Sequence, residues 1–269
     1  MSRPQGTLFG INLLERGSLG TKLRDARLYF NWKRKYAPKL RQFRDKHAGQ
    51  DCFIIGNGPS LNKMDLGVLA DYHTFGLNKI YLMEDRGVDL NLSYLVSTNA
   101  LVIEQSRDRF EQRDHPVFLS HTAAAGANVR DLAHLQRLHT LNIWSFYDDL
   151  TQPICEGYTV TYVAMQIAYY MGFQRVFLIG VDHSFKQSGQ SNETQVYEGD
   201  DQNHFDPNYF KGQPWQLADV DGSEVSYHLA NYHFRKDGRE IWDATVGGKL
   251  EVFPKISFER VLETAGRKR

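Results

Sequence analysis

The sequence predicts an α/β fold, a mainly parallel, Rossmann-like sheet with helices on both faces. Three observations predict it. From Gln50 onward, short apolar runs alternate with amphipathic stretches. The apolar runs are nearly continuous, as strands covered on both faces must be. The first of them, Cys52-Phe53-Ile54-Ile55, stops abruptly in Gly56-Asn57-Gly58-Pro59-Ser60. A buried parallel strand that delivers its backbone into a phosphate-binding loop ends in this way.

Residues 1–48 read as an N-terminal extension: a short apolar–polar piece, then a basic helix reaching His47. Residues 49–269 read as one Rossmann-like domain. Its strands are expected at Cys52–Ile55, Thr74–Leu77, Leu92–Val96, Val117–Leu119, Leu141–Trp144, Val176–Ile179 and Glu240–Trp242. Its helices are expected at Leu61–Ala70, Ala100–Gln112, Val129–Gln136, Thr161–Met171, Glu224–Arg235 and Ser257–Glu263. The polar segment 183–221 is too long for an ordinary connection and reads as an active-site lid or as a disordered stretch. No internal repeat is visible.

The composition is that of a globular chain, 41% apolar and 24% charged with zero formal net charge. No run of about 18 apolar residues offers a membrane span. The opening Met1-Ser2-Arg3-Pro4-Gln5 lacks the apolar core of a secretory signal. Cys52 and Cys155 make no disulfide framework. The expected location is the cytoplasm.

The zero net charge conceals an asymmetry. Arg16–Lys46 carries eleven Lys and Arg against Asp25 and Asp45, a local excess of +9, which leaves −9 for the remainder. Tyr29, Phe30, Trp32, Tyr36 and Phe43 interleave with the cations. A solvated helix packed by one face explains the pattern. So does peripheral contact with an anionic membrane, which would place the protein at the inner face. Nucleic acid is not expected as a partner.

Ligands of open parallel sheets lie outside the carboxyl ends of the strands. Gly56 and Gly58 are expected to take positive φ and bare their N–H groups, with Ser60 capping the helix that follows. Alone, this turn also reads as a tight crossover holding no ligand. Other strand ends supply Asn78, then Ser97, Thr98 and Asn99, and finally Gly180 and Asp182. Asn57, Asn78 and Asn99 are neutral donors and acceptors suited to ribose hydroxyls, base edges or phosphate oxygens.

Taken in order, the motifs resemble a known group. They are Gly56-Asn57-Gly58-Pro59-Ser60-Leu61, Asn78 with Ile80-Tyr81-Leu82, Thr159 to Met165, Met171 to Asp182, and Asn203-His204-Phe205. The set resembles the bacterial lipooligosaccharide sialyltransferases. It is equally similar to the MptE-like (6-hydroxymethylpterin diphosphokinase-like) family, which includes domains of flagellin-modifying glycosyltransferases. The similarity covers residues 50–262.

The sialyltransferase resemblance implies a glycosyltransferase that modifies a surface glycan or glycoconjugate. Its donor is a nucleotide-activated sugar, CMP-sialic acid or a related acidic sugar, and another nucleotide sugar fits equally well. It implies Gly56, Asn57, Gly58 and Ser60 along the nucleotide phosphate and adjoining sugar. Asn78 and Ser97 to Asn99 would lie near the donor, and Thr159, Val160 and Thr161 at the phosphate or sugar carboxylate. His204 is implied as the base that takes the acceptor hydroxyl's proton. The turn with Thr245 and Gly247 reads as closing over the nucleotide base, or equally as an ordinary strand-to-helix turn. The chain departs from the family in two places. Thr159-Val160-Thr161 stands for Thr-Ser-Gly, and His183 and Ser184 occupy the place of phosphate-holding tyrosines, the next tyrosine being Tyr197.

A transfer of this kind needs no cofactor and no metal. The alternative, a diphosphokinase, shields a triphosphate with Mg²⁺, for which Asp182, Glu198, Asp200 and Asp201 are the carboxylates. No Walker-type loop is present. A nucleotide-binding module without catalysis is the third reading.

Overall fold

The computed structural model describes residues 7–8, 11–12, 19–196 and 198–268. Seven strands form one sheet: Asp51–Ile55 (β1), His73–Leu77 (β2), Tyr94–Ser97 (β3), Val117–Ser120 (β4), Leu135–Leu138 (β5), Arg175–Ile179 (β6) and Glu240–Asp243 (β7). The spatial order is β7-β6-β1-β2-β3-β4-β5, and every pairing is parallel. The chain winds one way from β1 to β5 and the other way through β6 and β7. The topological switch point therefore lies between β1 and β6. Their register, Arg175 opposite Asp51 through Ile179 opposite Ile55, sets the turns after the two strands side by side.

Side chains alternate across a strand, so each strand feeds two cores. Cys52 and Ile54 join one core, with Phe75, Val96, Val176 and Leu178. Phe53 and Ile55 join the other, with Leu95, Leu119, Phe177 and Ile179. Helices Leu19–Lys35 (α1), Val160–Tyr170 (α5) and Val220–Lys236 (α6) cover the first face. Leu82–Asp85 (α2), Ala100–Glu111 (α3) and Phe258–Thr264 (α7) contribute to the second, and His121–Gly126 (α4) follows β4. The α/β class expected from the sequence is the class observed.

Several elements differ from expectation. The stretch expected as one helix from Leu61 is two 3₁₀ turns, Pro59–Lys63 and Leu66–Asp71. Asp65 accepts from Gly67 N–H and restarts the chain between them. The helix expected at Val129–Gln136 gives way to strand β5. Leu135 and Leu138 there are buried and pair with β4, so cross-strand burial overrides local helix preference. The strand expected at Leu141–Trp144 reduces to Thr140–Leu141, which pairs with Ile154–Cys155 outside the main sheet.

The described part of the N-terminal stretch packs into the body rather than extending from it. Trp32, Leu40 and Phe43 are buried in the same cluster as β1 and β2, and the Trp32 indole donates to the Arg137 carbonyl at 2.8 Å. Arg16 and Tyr197 lie outside the described residues.

Candidate functional site

The switch point brings two turns into contact. Gly56 N–H donates to the Ile179 carbonyl and Gly58 N–H to the Gly180 carbonyl, each at 2.8 Å. Neither glycine has positive φ. Each is required by close approach instead. A Cβ on Gly56 would collide with the Gly180 carbonyl, and one on Gly58 with the Asp182 carboxylate. The expected cradle of bared amides is therefore absent, because those amides complete the β1–β6 junction. The residue that does need a left-handed backbone is Gly180, at φ +66. Ser60 caps no helix. Its hydroxyl and N–H both donate to Asp182, at 2.6 and 3.1 Å. Burial raises the Asp182 pKa, and these two bonds oppose the rise.

A cavity of about 150 Å³ opens beside this junction. Gly56, Asn57, Gly58, Asn78, Gly180 and Asp182 line it from the strand ends. Thr159, Val160 and Thr161 line it from the start of α5. Thr159 is the N-cap of that eleven-residue helix, its hydroxyl accepting from Thr161 N–H at 3.3 Å. The positive end of the α5 dipole therefore faces the cavity. The Asn57 amide nitrogen donates to the Leu77 carbonyl at 3.1 Å, and its oxygen is buried without a partner. Such an acceptor costs free energy until a donor reaches it. Asn78 accepts the Ser97 hydroxyl on its side-chain oxygen at 3.0 Å.

The segment 183–221 forms the opposite wall. It is docked, with Phe205, Tyr209, Phe210 and Trp215 buried in the second core. Phe205 N–H donates to the Asn57 carbonyl at 2.8 Å. Lys79 is buried beneath it, donating from Nζ to the Tyr209 carbonyl and to Gln213. Burial lowers its pKa to about 8, with the charge of Asp201 acting the other way. On this wall His204 and Asp201 form a dyad. His204 Nδ1 lies 2.7 Å from Asp201 Oδ2, and Asp201 Oδ1 accepts the backbone N–H of Asn203 and His204. The His204 ring lies flat on Tyr209, centroids 4.0 Å apart and planes at 5°. A buried carboxylate on Nδ1 fixes the tautomer that keeps Nε2 as acceptor, and His204 lines the cavity.

Backbone strain gathers here. Asn78 (φ 48), Tyr158 (φ 60) and His183 (φ 51) are non-glycine residues in the left-handed region, and all three line the cavity. Left-handed backbone is unusual for a ring as bulky as Tyr158, and such residues cluster at functional sites. No lysine or arginine lines the cavity among the described residues.

Other expected site residues stand further back. Ser97 is fully buried and orients Asn78. Thr98 and Asn99 line an adjoining cavity of about 400 Å³ that shares Asn78, Tyr158, Thr159 and His204 with the first. Asn99 is also the N-cap of α3. Thr245 and Gly247 are outside the cavity. The Thr245 hydroxyl accepts Val181 N–H at 3.2 Å and so braces the β6 turn from behind. Sequence reasoning gave Asp201 only as a metal carboxylate. The i, i+3 spacing of Asp201 and His204 was the available signal. Among the described residues no three His, Cys, Asp or Glu side chains group to hold a metal.

No family model matches the chain, the MptE-like one included, and no curated protein matches it. Among solved structures it is similar to the sialyltransferase CstII from Campylobacter jejuni, in complex with a substrate analogue, cytidine-5'-monophosphate. The two share 13% identity at a TM-score of 0.49, over 78% of this chain and 86% of that one. Likeness at that level assigns no residue a role.

Proposed function

We propose that this protein is a glycosyltransferase that takes a sugar from a nucleotide-activated donor, CMP-sialic acid or a related acidic sugar, to a glycan acceptor. The observation that carries the reading is the pairing of an oriented base with an anion site across one cavity. The Asp201–His204 dyad faces the N-terminus of α5 at the switch point. Transfer from a nucleotide needs positioning, a base for the acceptor and stabilisation of the departing phosphate. His204 Nε2 takes the acceptor proton, Thr159 to Thr161 receive the phosphate, and Asn57 Oδ1 accepts from a donor hydroxyl or amine.

The acceptor enters from the adjoining cavity. Beyond it, a trench of about 870 Å³ continues past Thr98, Asn99, Asn142, Glu156 and Gln216 to Arg24 on α1. The exposed basic face of α1 then lies beside the acceptor's route and suits an anionic membrane that carries the glycan. The diphosphokinase reading is weaker, because its carboxylates do not converge. Asp182 is held by Ser60, Asp201 by His204, and Asp200 pairs with Lys211 at the surface.

Thermal shift with CMP, CDP, UDP and ATP, with Mg²⁺ or with EDTA, tests the proposal. Stabilisation by a cytidine nucleotide in EDTA is expected. Stabilisation by ATP alone, and only with Mg²⁺, would sink it.

A further inference from the structure

His183 is the second histidine of the cavity, and nothing in the transfer described above employs it. Its side chain is 7% exposed and its Nε2 lies 3.7 Å from Glu224 Oε1 on α6. Its ring meets the edge of Tyr227 at 6.0 Å, and the Tyr227 hydroxyl reaches Thr159 at 3.4 Å. His183 is thus linked through Tyr227 to Thr159, the N-cap of α5. Its backbone is held at φ 51, directly after the Asp182 that Ser60 pins.

The charge inventory gives it a task. Among the described residues no lysine or arginine lines the cavity into which a nucleotide phosphate brings negative charge, whereas the carboxylates Asp182 and Asp219 do. A helix terminus supplies about half a positive charge. Among the described residues the histidines that line the cavity are His204 and His183, and an imidazole is a side chain that can take up a proton to meet an incoming anion. His204 is bound to Asp201 on the lid wall and must be neutral at Nε2 to act as a base. That leaves His183.

We propose that His183 is the proton donor and cationic ligand of the nucleotide phosphate, in a subsite built with Thr159 and Thr161. This rests on the transferase reading above. In the step it completes, the acceptor O–H proton passes to His204 Nε2 and the acceptor oxygen bonds to the anomeric carbon. The bond from that carbon to the phosphate oxygen breaks with its electron pair on the oxygen, which takes the His183 proton. Solvent then returns a proton to His183 and removes one from His204. Burial lowers the His183 pKa in the free protein. Among the charged groups around it, Glu224 and Asp221 on α6 and Asp243 on β7 raise it, and Lys255 lowers it. A bound phosphate adds to the raising set, so phosphate binding takes up a proton.

Calorimetric titration of the whole chain with CMP from pH 6 to 8 tests this. Wild type is expected to bind more weakly as pH rises, by about tenfold. His183→Gln should lose at least tenfold at pH 6 and flatten the pH slope, and Glu224→Gln should move the slope to lower pH. His204→Gln should keep wild-type CMP affinity and slope while losing turnover. If wild type binds CMP and His183→Gln binds it equally with the same slope, the role of His183 is overturned and the transferase reading stands. A wild type that binds no nucleotide overturns both.

Discussion

The Asp182 carboxylate receives the Ser60 hydroxyl at 2.6 Å and the Ser60 N–H at 3.1 Å, which locks the turn after β1 to the turn after β6. Gly58 lies against the same carboxylate with no room for a Cβ. Ser60→Ala is expected to cost about 1 kcal/mol, because one oxygen of a partly buried carboxylate loses its donor. Gly58→Ala should cost more, ~2–4 kcal/mol, since Asp182 must leave its partners. Urea unfolding measures both. A Gly58→Ala protein as stable as wild type would show that the junction is looser than the geometry implies.

The Asp201–His204 dyad predicts a separation of roles. Asp201→Asn keeps the size and the turn but places an amide on Nδ1, which favours the wrong tautomer. Turnover of a CMP-activated sugar should fall by ~10²–10⁴, with CMP affinity unchanged and His204→Ala equally impaired. Full turnover in either variant would remove His204 from the chemistry.

The α/β class and the strand-end positions were legible, because buried parallel strands leave near-continuous apolar runs and their loops begin at sharp breaks. The reason for Gly56 and Gly58 was not. Sequence suggests positive φ for any glycine, whereas these two serve a close approach to Gly180 and Asp182, contacts more than 120 residues away along the chain. Strand β5 was hidden for a related reason. Leu135-Gln136-Arg137-Leu138 has no strand signature until β4 is placed beside it. Ser97 and Thr245 carried the right chemistry for a site, but their hydroxyls face Asn78 and Val181 instead of the cavity.

Stability should fall in mild acid. Burial lowers the His73 pKa to about 4, helped by the neighbouring His47, and lowers that of His121 to about 4, helped by His139. The unfolded chain holds both near 6.5. A depressed folded pKa means that the unfolded state takes up protons first as pH falls. The stabilisation is full above about 6.5 and is lost progressively down to about 4. Discounted for the partial solvation of His73, the two together amount to ~1–3 kcal/mol. Melting temperature should therefore drop by several degrees between pH 7.5 and 5, and His73→Gln should flatten that slope. An unchanged slope in the variant would assign acid sensitivity elsewhere.

The outer face of α1 predicts salt-sensitive binding to anionic bilayers. Its inner face is consumed by packing, with Trp32 fully buried. Its outer face carries Leu23, 62% exposed, with Arg24, Arg27 and Arg34 around it. Leu23, Arg27 and Arg34 fall on one stripe, so an apolar residue and cations meet the same plane. Each cation near an anionic surface contributes about 1 kcal/mol, and the apolar residue adds burial at the acyl boundary. Vesicles rich in phosphatidylglycerol should sediment the protein at low salt and release it at high salt, where the Debye length shrinks to about 3 Å at 1 M. Reversing two charges, Arg27→Glu with Arg34→Glu, should weaken binding at least tenfold without altering CMP affinity. Equal sedimentation with neutral phosphatidylcholine vesicles, or none with either, would separate this helix from any membrane role and return its charge to simple solvation.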